Sequence, residues 1–360
     1  MAVQGATKRK SAGGQKVAIK RIGILTGGGD CPGLNPVIRA VVRKALTFGI
    51  EVVGIKDGWK GLIEKQTIPL DLQSVSGILH RGGTILNTSR TNPYKNPAHV
   101  EAVKTNVKGL KLDALVAVGG EDTLGVASKL VKEGVPVVGV PKTIDNDLSQ
   151  TDYTFGFDTA VNIAMECIDR LHTTAESHHR IMVAEVMGRH AGWIAVHAGI
   201  AGGADFILVP EIPIDLGEVC EAIKKRHARG KTFSIIVIAE GAEFKSGEIT
   251  TPAKKLDAFG HVRLGGVGEL LADMIEKKTG FETRVTVLGH IQRGGSPTAF
   301  DRVLGTRFGV KAVELVVKGE FGKMVSLQGN EIVSVPIEEA VKELKTLDMG
   351  LYDIAKIFFG

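Results

Sequence analysis

Cysteine is scarce in this chain, with only Cys31, Cys167 and Cys220 among 360 residues. Their wide spacing and odd number argue against a disulfide framework and against a zinc site. Long apolar runs are also missing, since none approaches the roughly 20 residues that cross a bilayer. Residues 1–21 lack the apolar core of a signal peptide. We therefore expect a cytoplasmic protein with no membrane partner.

Acidic side chains are absent from residues 1–21, which hold six basic ones. The formal net charge of +5 comes from this end, and the rest of the chain carries −1. A near-neutral body lacks the basic face that nucleic-acid binding requires, so no nucleic-acid partner is expected. Residues 1–16, rich in Gly, Ala, Ser and Lys, are expected to form a disordered basic tail.

What the chain does contain is a regular alternation of short apolar runs with longer amphipathic segments. Strands interleaved with helices in this way indicate α/β architecture with mainly parallel sheets covered on both faces. We expect two Rossmann-like domains with the active site in the cleft between them. Residues 17–156 plus about 292–340 are expected to form one domain, and residues 157–291 plus about 341–360 the other.

Two acid-rich loops follow neighbouring predicted strands, residues 114–118 and 135–140. The first loop is Gly-Gly-Glu-Asp-Thr (residues 119–123) and the second is Pro-Lys-Thr-Ile-Asp-Asn-Asp (residues 141–147). The carboxyl ends of parallel strands meet at one sheet edge, where ligands of open α/β sheets bind. Acids gathered there suggest a divalent metal, phosphate oxygens and a carboxylate base.

Both acidic loops also have a plainer interpretation. Glu121 and Asp122 are an acid pair that a helix N-terminus would stabilise, and residues 146–147 resemble an ordinary turn. Neither explanation accounts for Lys142 and Asp145 crowded at the same strand end.

A glycine-rich loop, residues 27–33, links the first predicted strand to its helix. It matches neither the dinucleotide fingerprint nor the P-loop. Three consecutive glycines let backbone N–H groups approach a phosphate, which makes Gly28 a candidate phosphate-binding residue. Arg90, in another glycine-containing polar loop, is a candidate clamp on a transferred phosphoryl group, or else a solvated loop arginine.

Arginine, histidine and glutamate close three further predicted strands. The planar fork of arginine suits phosphate, histidine adds a donor, and glutamate can accept from sugar hydroxyls. Four arginines without matching acids beside them indicate a dianionic ligand. The candidate residues for binding this ligand, the four arginines included, are Arg180, Met187, Gly188, Arg189, Glu240, Arg284, His290 and Arg293.

With these motifs in this order, the chain resembles the phosphofructokinase family over nearly its whole length after the tail. The motifs are the glycine loop through Asn35, the two acidic loops, Met-Gly-Arg (residues 187–189) and Gly-His-Ile-Gln-Arg-Gly-Gly (residues 289–295). The family phosphorylates the 1-hydroxyl of fructose 6-phosphate. The resemblance implies a phosphoryl-donor domain and a fructose 6-phosphate domain, matching the division above.

The resemblance also implies roles for individual residues. Asp145 matches the general base for the 1-hydroxyl, with Thr143 beside it, and Glu121 replaces the family's usual aspartate associated with Mg²⁺. The implied contacts to fructose 6-phosphate are Thr143, Asp145, Met187, Gly188, Arg189, Glu240, His290 and Arg293. Arg180 and Arg284 resemble arginines supplied by a neighbouring subunit, which implies a homodimer or homotetramer.

Two positions bear on the phosphoryl donor. Members that use ATP typically have glycine where this chain has Asp122, and often where it has Lys142, whereas users of inorganic pyrophosphate resemble this chain at both. A carboxylate about 4 Å from an ATP α-phosphate would cost about 4 kcal/mol at an effective dielectric constant of 20. Pyrophosphate is therefore the expected donor, with Gly28, Arg90, Asp122 and Lys142 around it.

Other functions remain open at this point. The nearest is an ATP-dependent phosphofructokinase, and one from another class is a non-catalytic subunit that senses sugar phosphates. A dinucleotide oxidoreductase is more distant because the glycine fingerprint and its ribose-binding acid are missing.

Overall fold

The structure is a computed structural model that describes residues 19–245 and 264–360. The expected tail, residues 1–16, lies outside the described residues. Two sheets with helices packed against them make up the described part, so the expected α/β class is confirmed.

The strands alternate with helices in the first part of the chain, as the apolar pattern predicts. In chain order they are β1 (Arg21–Thr26), β2 (Glu51–Ile55), β3 (Thr67–Leu70), β4 (Ala114–Gly119), β5 (Val137–Thr143), β6 (Phe155–Gly156), β7 (Ile181–Val186), β8 (Phe206–Leu208), β9 (Ser234–Ala239), β10 (Thr283–Val287), β11 (Lys323–Gln328) and β12 (Glu331–Pro336).

Most of the helices are amphipathic and bury one face. They are α1 (Leu34–Leu46), α2 (Gly58–Glu64), α3 (Pro97–Gly109), α4 (Glu121–Lys132), α5 (Phe157–His178), α6 (Trp193–Ala201), α7 (Leu216–Ala228), α8 (Val267–Thr279), α9 (Ala299–Lys318), α10 (Ile337–Ala340) and α11 (Met349–Lys356). No helix of residues 19–245 and 264–360 combines the length and apolar character needed to span a membrane.

The large sheet has the strand order β12-β11-β5-β4-β1-β2-β3, and β6 pairs with β5. Its centre is parallel, whereas β3 and β12 pair antiparallel at the two edges. The central strands are almost wholly buried, as expected for strands covered by helices on both faces. Their carboxyl ends therefore open at one shared edge.

The small sheet has the order β10-β7-β9-β8 and is parallel throughout. Its core strands β7 and β9 are fully buried. The division of the chain into two domains stays a prediction. We propose that each sheet is the centre of one domain, which the return of β11 and β12 to the large sheet supports.

A buried polar cluster joins the first turns of α5 and α9 near the two places where the chain passes between the sheets. Asp301 accepts hydrogen bonds from the Thr159 backbone N–H (2.9 Å) and from its hydroxyl (2.5 Å). The Thr298 hydroxyl donates to Asp158 at 2.6 Å. Burial raises the pKa of Asp301 to about 6, so this joint holds a carboxyl that titrates above its ordinary range.

The shifted pKa of Asp301 predicts a pH-dependent stability. Because the folded protein holds this proton more tightly than the unfolded chain, stability falls as pH rises through 6. Between pH 5 and pH 7 the wild type should lose about 1 kcal/mol relative to Asp301→Asn, which carries no such proton. Unfolding of both proteins in urea at the two pH values measures this difference. A difference between wild type and variant that does not change with pH would contradict the assignment.

Candidate active site

The site lies where β1, β4 and β5 end. The Gly27 N–H donates to the Val118 carbonyl at 2.9 Å, which fixes the glycine loop against the end of β4. A Cβ on Gly119 or Gly27 would collide with Thr123, so these loops pack closely only because both positions are glycine. The glycine loop and both acidic loops thus meet at one edge, as predicted.

Gly28 adopts a left-handed backbone conformation with φ of 79°. Its N–H donates to the Ser89 carbonyl at 3.1 Å, and the Thr88 hydroxyl donates to its carbonyl at 2.7 Å. Arg90 directly follows Ser89 in the sequence, which places it next to the glycine loop. Its side chain is exposed. Its role toward a phosphate stays a prediction.

Lys142 is the buried cation of the site, 4 % exposed, and its Nζ donates to the Gly29 carbonyl. Burial lowers the pKa of Lys142, while the acids Asp145 and Asp30 act in the opposite direction. Asp30, which sequence reasoning did not single out, also lines the pocket. A buried ammonium beside a backbone carbonyl and acids is placed to receive an anion.

Asp145 lies in the turn after β5 and is 6 % exposed. Its backbone N–H donates to the hydroxyl oxygen of Thr143 at 3.0 Å, which orients this turn. Its Oδ1 is buried and has no hydrogen-bond partner among the described residues. An unsatisfied buried carboxylate oxygen is costly unless a ligand supplies the missing donor.

Asp147 adds a second carboxyl to the same pocket. Burial, and then the neighbouring Asp145, raises the pKa of Asp147 to about 7; Glu121 acts in the same direction and Arg189 in the opposite one. Glu121 and Asp122 begin α4 and line the pocket from the other acidic loop. The site is therefore rich in mutually repelling carboxylates.

Arg189 reaches this pocket from the small sheet, because it follows β7. It has a positive φ of 51°, an uncommon conformation for a residue with a side chain. The Glu240 carboxylate, after β9, accepts from the Arg189 N–H at 3.3 Å. Burial, and then Asp145, raises the pKa of Glu240 to about 7, so this acid also lies close to the cleft.

Residues after β10 complete the cleft. Arg293 lines the pocket, and a Cβ on Gly29 would approach its Nη1 to 2.7 Å. His290 is exposed in the same 3-10 turn, Gly289–Arg293. Gln292, which sequence reasoning missed, is fully buried, and its Oε1 accepts from the Met187 N–H at 2.8 Å. It thereby ties the turn after β10 to the segment that carries Met187, Gly188 and Arg189.

The expectation that Arg180 and Arg284 have no acids beside them is wrong. Glu282 pairs with Arg180 at 2.8 Å and also with Arg284. These arginines lie at the starts of β7 and β10, the sheet edge opposite the cleft. Their expected contact with the substrate of a neighbouring subunit stays a prediction.

One pocket therefore collects groups from both sheets. A glycine loop, acids, a lysine and two arginines face the same space, which suits a polyanionic ligand, a cation and a proton acceptor together. Among its lining residues are Gly28, Gly29, Asp30, Glu121, Asp122, Lys142, Thr143, Asp145, Asp147, Arg189 and Arg293.

The close contact between Gly241 and Arg189 allows a test of whether the backbone position of Arg189 matters for activity. A Cβ at Gly241 would overlap the Arg189 carbonyl oxygen, so Gly241→Ala should shift Arg189 and lower kcat about 100-fold. Gly125→Ala is the matched control, since its Cβ meets open space inside α4 and should leave kcat unchanged. Steady-state kinetics of both variants with the natural substrates decide the matter. Equal kcat values for the two variants would show that Gly241 does not hold Arg189.

Comparison with known proteins agrees with this geometry. The phosphofructokinase family model matches residues 21–316. A pyrophosphate–fructose 6-phosphate 1-phosphotransferase of Streptomyces coelicolor is 59% identical over 342 residues, 94% of this chain and 100% of that protein. An ATP-dependent 6-phosphofructokinase 3 of the same organism is 53% identical over 333 residues, 92% of this chain and 98% of that protein.

A solved structure shows the same fold. Phosphofructokinase from Saccharomyces cerevisiae superimposes with a TM-score of 0.79 at 30% identity, covering 94% of this chain and 46% of that one. Motifs, fold and sequence similarity thus agree, and the chain belongs to the phosphofructokinase family.

Proposed function

We propose that this protein transfers a phosphoryl group reversibly from pyrophosphate to the 1-hydroxyl of fructose 6-phosphate, yielding fructose 1,6-bisphosphate and phosphate. One observation carries the choice of donor: Asp122 and Lys142 line the same pocket as Asp145 and Arg189. The 59% identity to a pyrophosphate-dependent relative supports it.

The donor argument rests on charge. Asp122 would repel the α-phosphate of a nucleotide, at about 4 kcal/mol for charges about 4 Å apart at an effective dielectric constant of 20. Lys142 offsets the charge of a donor that carries no nucleoside, and stabilises both the transferred and the departing phosphate. Gly28, in the glycine loop, and Arg90 are the further proposed contacts to the donor, although the Gly28 N–H itself already donates to the Ser89 carbonyl.

The proton acceptor is Asp145. Its buried, unpartnered Oδ1 suits a donor supplied by the substrate, which we take to be the 1-hydroxyl. Thr143 holds the turn, and Arg189 spreads the charge of the phosphoryl group in flight. Met187, Gly188, Glu240, His290 and Arg293 are the proposed contacts to the sugar phosphate.

The carboxylates at this site fit Mg²⁺ as the cofactor. Within residues 19–245 and 264–360, no group of three or more His, Cys, Asp or Glu side chains could hold a metal ion alone. Mg²⁺ commonly binds through one or two carboxylates, with water and substrate phosphates completing its shell. Glu121 would hold it. Burial, and then repulsion from Asp145 and Glu121, raises the pKa of Asp147, and a cation nearby would offset both effects. When bound, it would neutralise charge on the donor phosphates.

Assembly and location are part of the same proposal. We infer a cytoplasmic homodimer or homotetramer in which Arg180 and Arg284 complete a neighbour's fructose 6-phosphate site. Their position on the sheet edge away from the cleft supports contact with another subunit rather than with their own pocket.

A donor assay tests the proposal. With fructose 6-phosphate and Mg²⁺, we expect rapid turnover with pyrophosphate and little or none with ATP. The matched control is Asp145→Asn, which keeps the side-chain volume and should lower kcat at least 100-fold. Robust turnover with ATP and none with pyrophosphate would make the protein an ATP-dependent phosphofructokinase. Binding of fructose 6-phosphate with no turnover by either donor would favour a regulatory subunit.

Asp122→Gly tests the repulsion directly. Removing the carboxylate should weaken pyrophosphate use and admit measurable ATP-dependent turnover, because the α-phosphate no longer meets a like charge. The ratio of kcat/KM for ATP to that for pyrophosphate should rise at least tenfold, in keeping with the loss of a few kcal/mol of repulsion. An unchanged ratio would contradict the role given to Asp122.

A further inference from the structure

A short segment near the C-terminal end, which we call the strap (residues 343–347), runs between α10 and α11. It lies antiparallel to the chain that leaves the Asp145 turn. Leu344 forms an antiparallel bridge with Leu148, and the Lys345 N–H donates to the Asp147 carbonyl at 2.8 Å. The strap therefore covers the segment that directly follows the proposed catalytic base.

Lys345 is the most heavily bonded residue of the strap. Its Nζ donates to the carbonyls of Thr151 and Asp152, at 2.8 and 2.9 Å. The Asp152 carbonyl also accepts from Asn146 Nδ2 at 3.2 Å. Asn146 is the residue after Asp145, is 1 % exposed and has a left-handed φ of 53°. Lys345 thus bonds to the Asp152 carbonyl, and that carbonyl in turn holds Asn146, whose strained backbone follows the proposed base Asp145.

The same residue contacts the other side of the cleft. The Lys345 carbonyl accepts from Trp193 Nε1 at 3.1 Å, and its Nζ lies 5.2 Å from the centre of the Trp193 ring. Trp193 begins α6, four residues after Arg189. The Glu211 carboxylate reinforces this junction, since it accepts from the N–H groups of Gly192 (3.0 Å) and Leu347 (2.9 Å).

These contacts join the two elements that must cooperate in phosphoryl transfer. The Asp145 turn extends from the large sheet and the Arg189 segment from the small one, and the strap bonds to both. Positioning supplies much of the acceleration in such reactions, and a displacement of about 1 Å can cost about 100-fold in rate.

We propose that Lys345 is a positioning residue that holds the Asp145 turn and the Arg189 segment in their mutual geometry, an inference that rests on the function proposed above. Lys345 is not one of the residues that line the pocket, although its N–H bonds to the carbonyl of Asp147, which is one of them. It acts through the carbonyls of Thr151 and Asp152 and through Trp193. Its loss should therefore lower the rate of the bound complex rather than the affinity for either substrate.

The test compares variants of the full chain in steady-state kinetics. Lys345→Met keeps the length of the side chain and removes its charge and donors. We expect kcat to fall at least tenfold while both KM values change less than about threefold. Lys345→Arg retains charge and donors and should recover most of the loss. Lys342→Met, an exposed lysine three residues earlier, is the matched control and should behave as the wild type.

Thermal unfolding of each variant accompanies the kinetics, and assays are run well below every midpoint. If Lys345→Met does not fold, Trp193→Phe keeps an aromatic ring, removes the donor to the Lys345 carbonyl and should lower kcat about threefold or more. The inference is overturned if Lys345→Met matches Lys342→Met, if only KM rises, or if Lys345→Arg is as defective as Lys345→Met.

The proposed function and the role of Lys345 fail in different ways. Turnover of the wild type with pyrophosphate tests the function before any variant is examined. If the wild type uses ATP instead, the same variants are compared with ATP, because the strap bonds to the backbone of the base turn and supplies no side chain to the pocket. Absence of turnover with either donor would overturn both proposals.

Discussion

The site depends on the electrostatic balance around one buried lysine. Lys142, at the end of β5, bonds to the glycine loop, and the carboxylates of Asp145 and Asp30 favour its charge. Burial alone disfavours its charge, as it disfavours the charges of Asp147 and Glu240. Opposite charges that are costly to bury separately stabilise one another here. A bound polyanion and its cation would neutralise the remaining charges of the pocket.

Each of the two sheets supplies a different set of residues to the site. The large sheet presents the glycine loop, the lysine and the proposed base at the ends of β1, β4 and β5. The small sheet presents Arg189, Glu240 and Arg293 at the ends of β7, β9 and β10. Strained backbone at Asn146 and Arg189 occurs where these sets face each other. Strain of this kind persists only when surrounding contacts over-determine it, and Gly241, Gln292 and the strap supply such contacts.

Much of this architecture could be predicted from the sequence. Short apolar runs indicate buried parallel strands, and the polar motifs that follow these runs mark the carboxyl ends of the strands. The loops after β4 and β5 were placed correctly. What the sequence does not show is how α6 begins, at Trp193. The missing signal there is the bond from the Gly192 N–H to Glu211, a contact between distant residues. The pairing of Arg180 with Glu282 was likewise invisible, since 102 positions separate them.

The elements between residues 58 and 110, and beyond residue 320, were not predicted. The strand β3 is short and half-buried, so its alternation is weak. The hairpin of β11 and β12 did carry a signal, because Gly329 and Asn330 form a two-residue connection between apolar runs. The strap has no regular pattern, and its importance comes from contacts with residues 147–193 that only the folded chain brings together.

Calorimetric titration with methylenediphosphonate, a pyrophosphate analogue that cannot transfer its phosphoryl group, tests the central charge argument most directly. In the presence of Mg²⁺, the wild type should bind the analogue, and Lys142→Met should bind it at least tenfold more weakly while its affinity for fructose 6-phosphate stays within about twofold. Equal affinity of both proteins for the analogue would contradict the account, because the buried lysine would then contribute nothing to holding the donor.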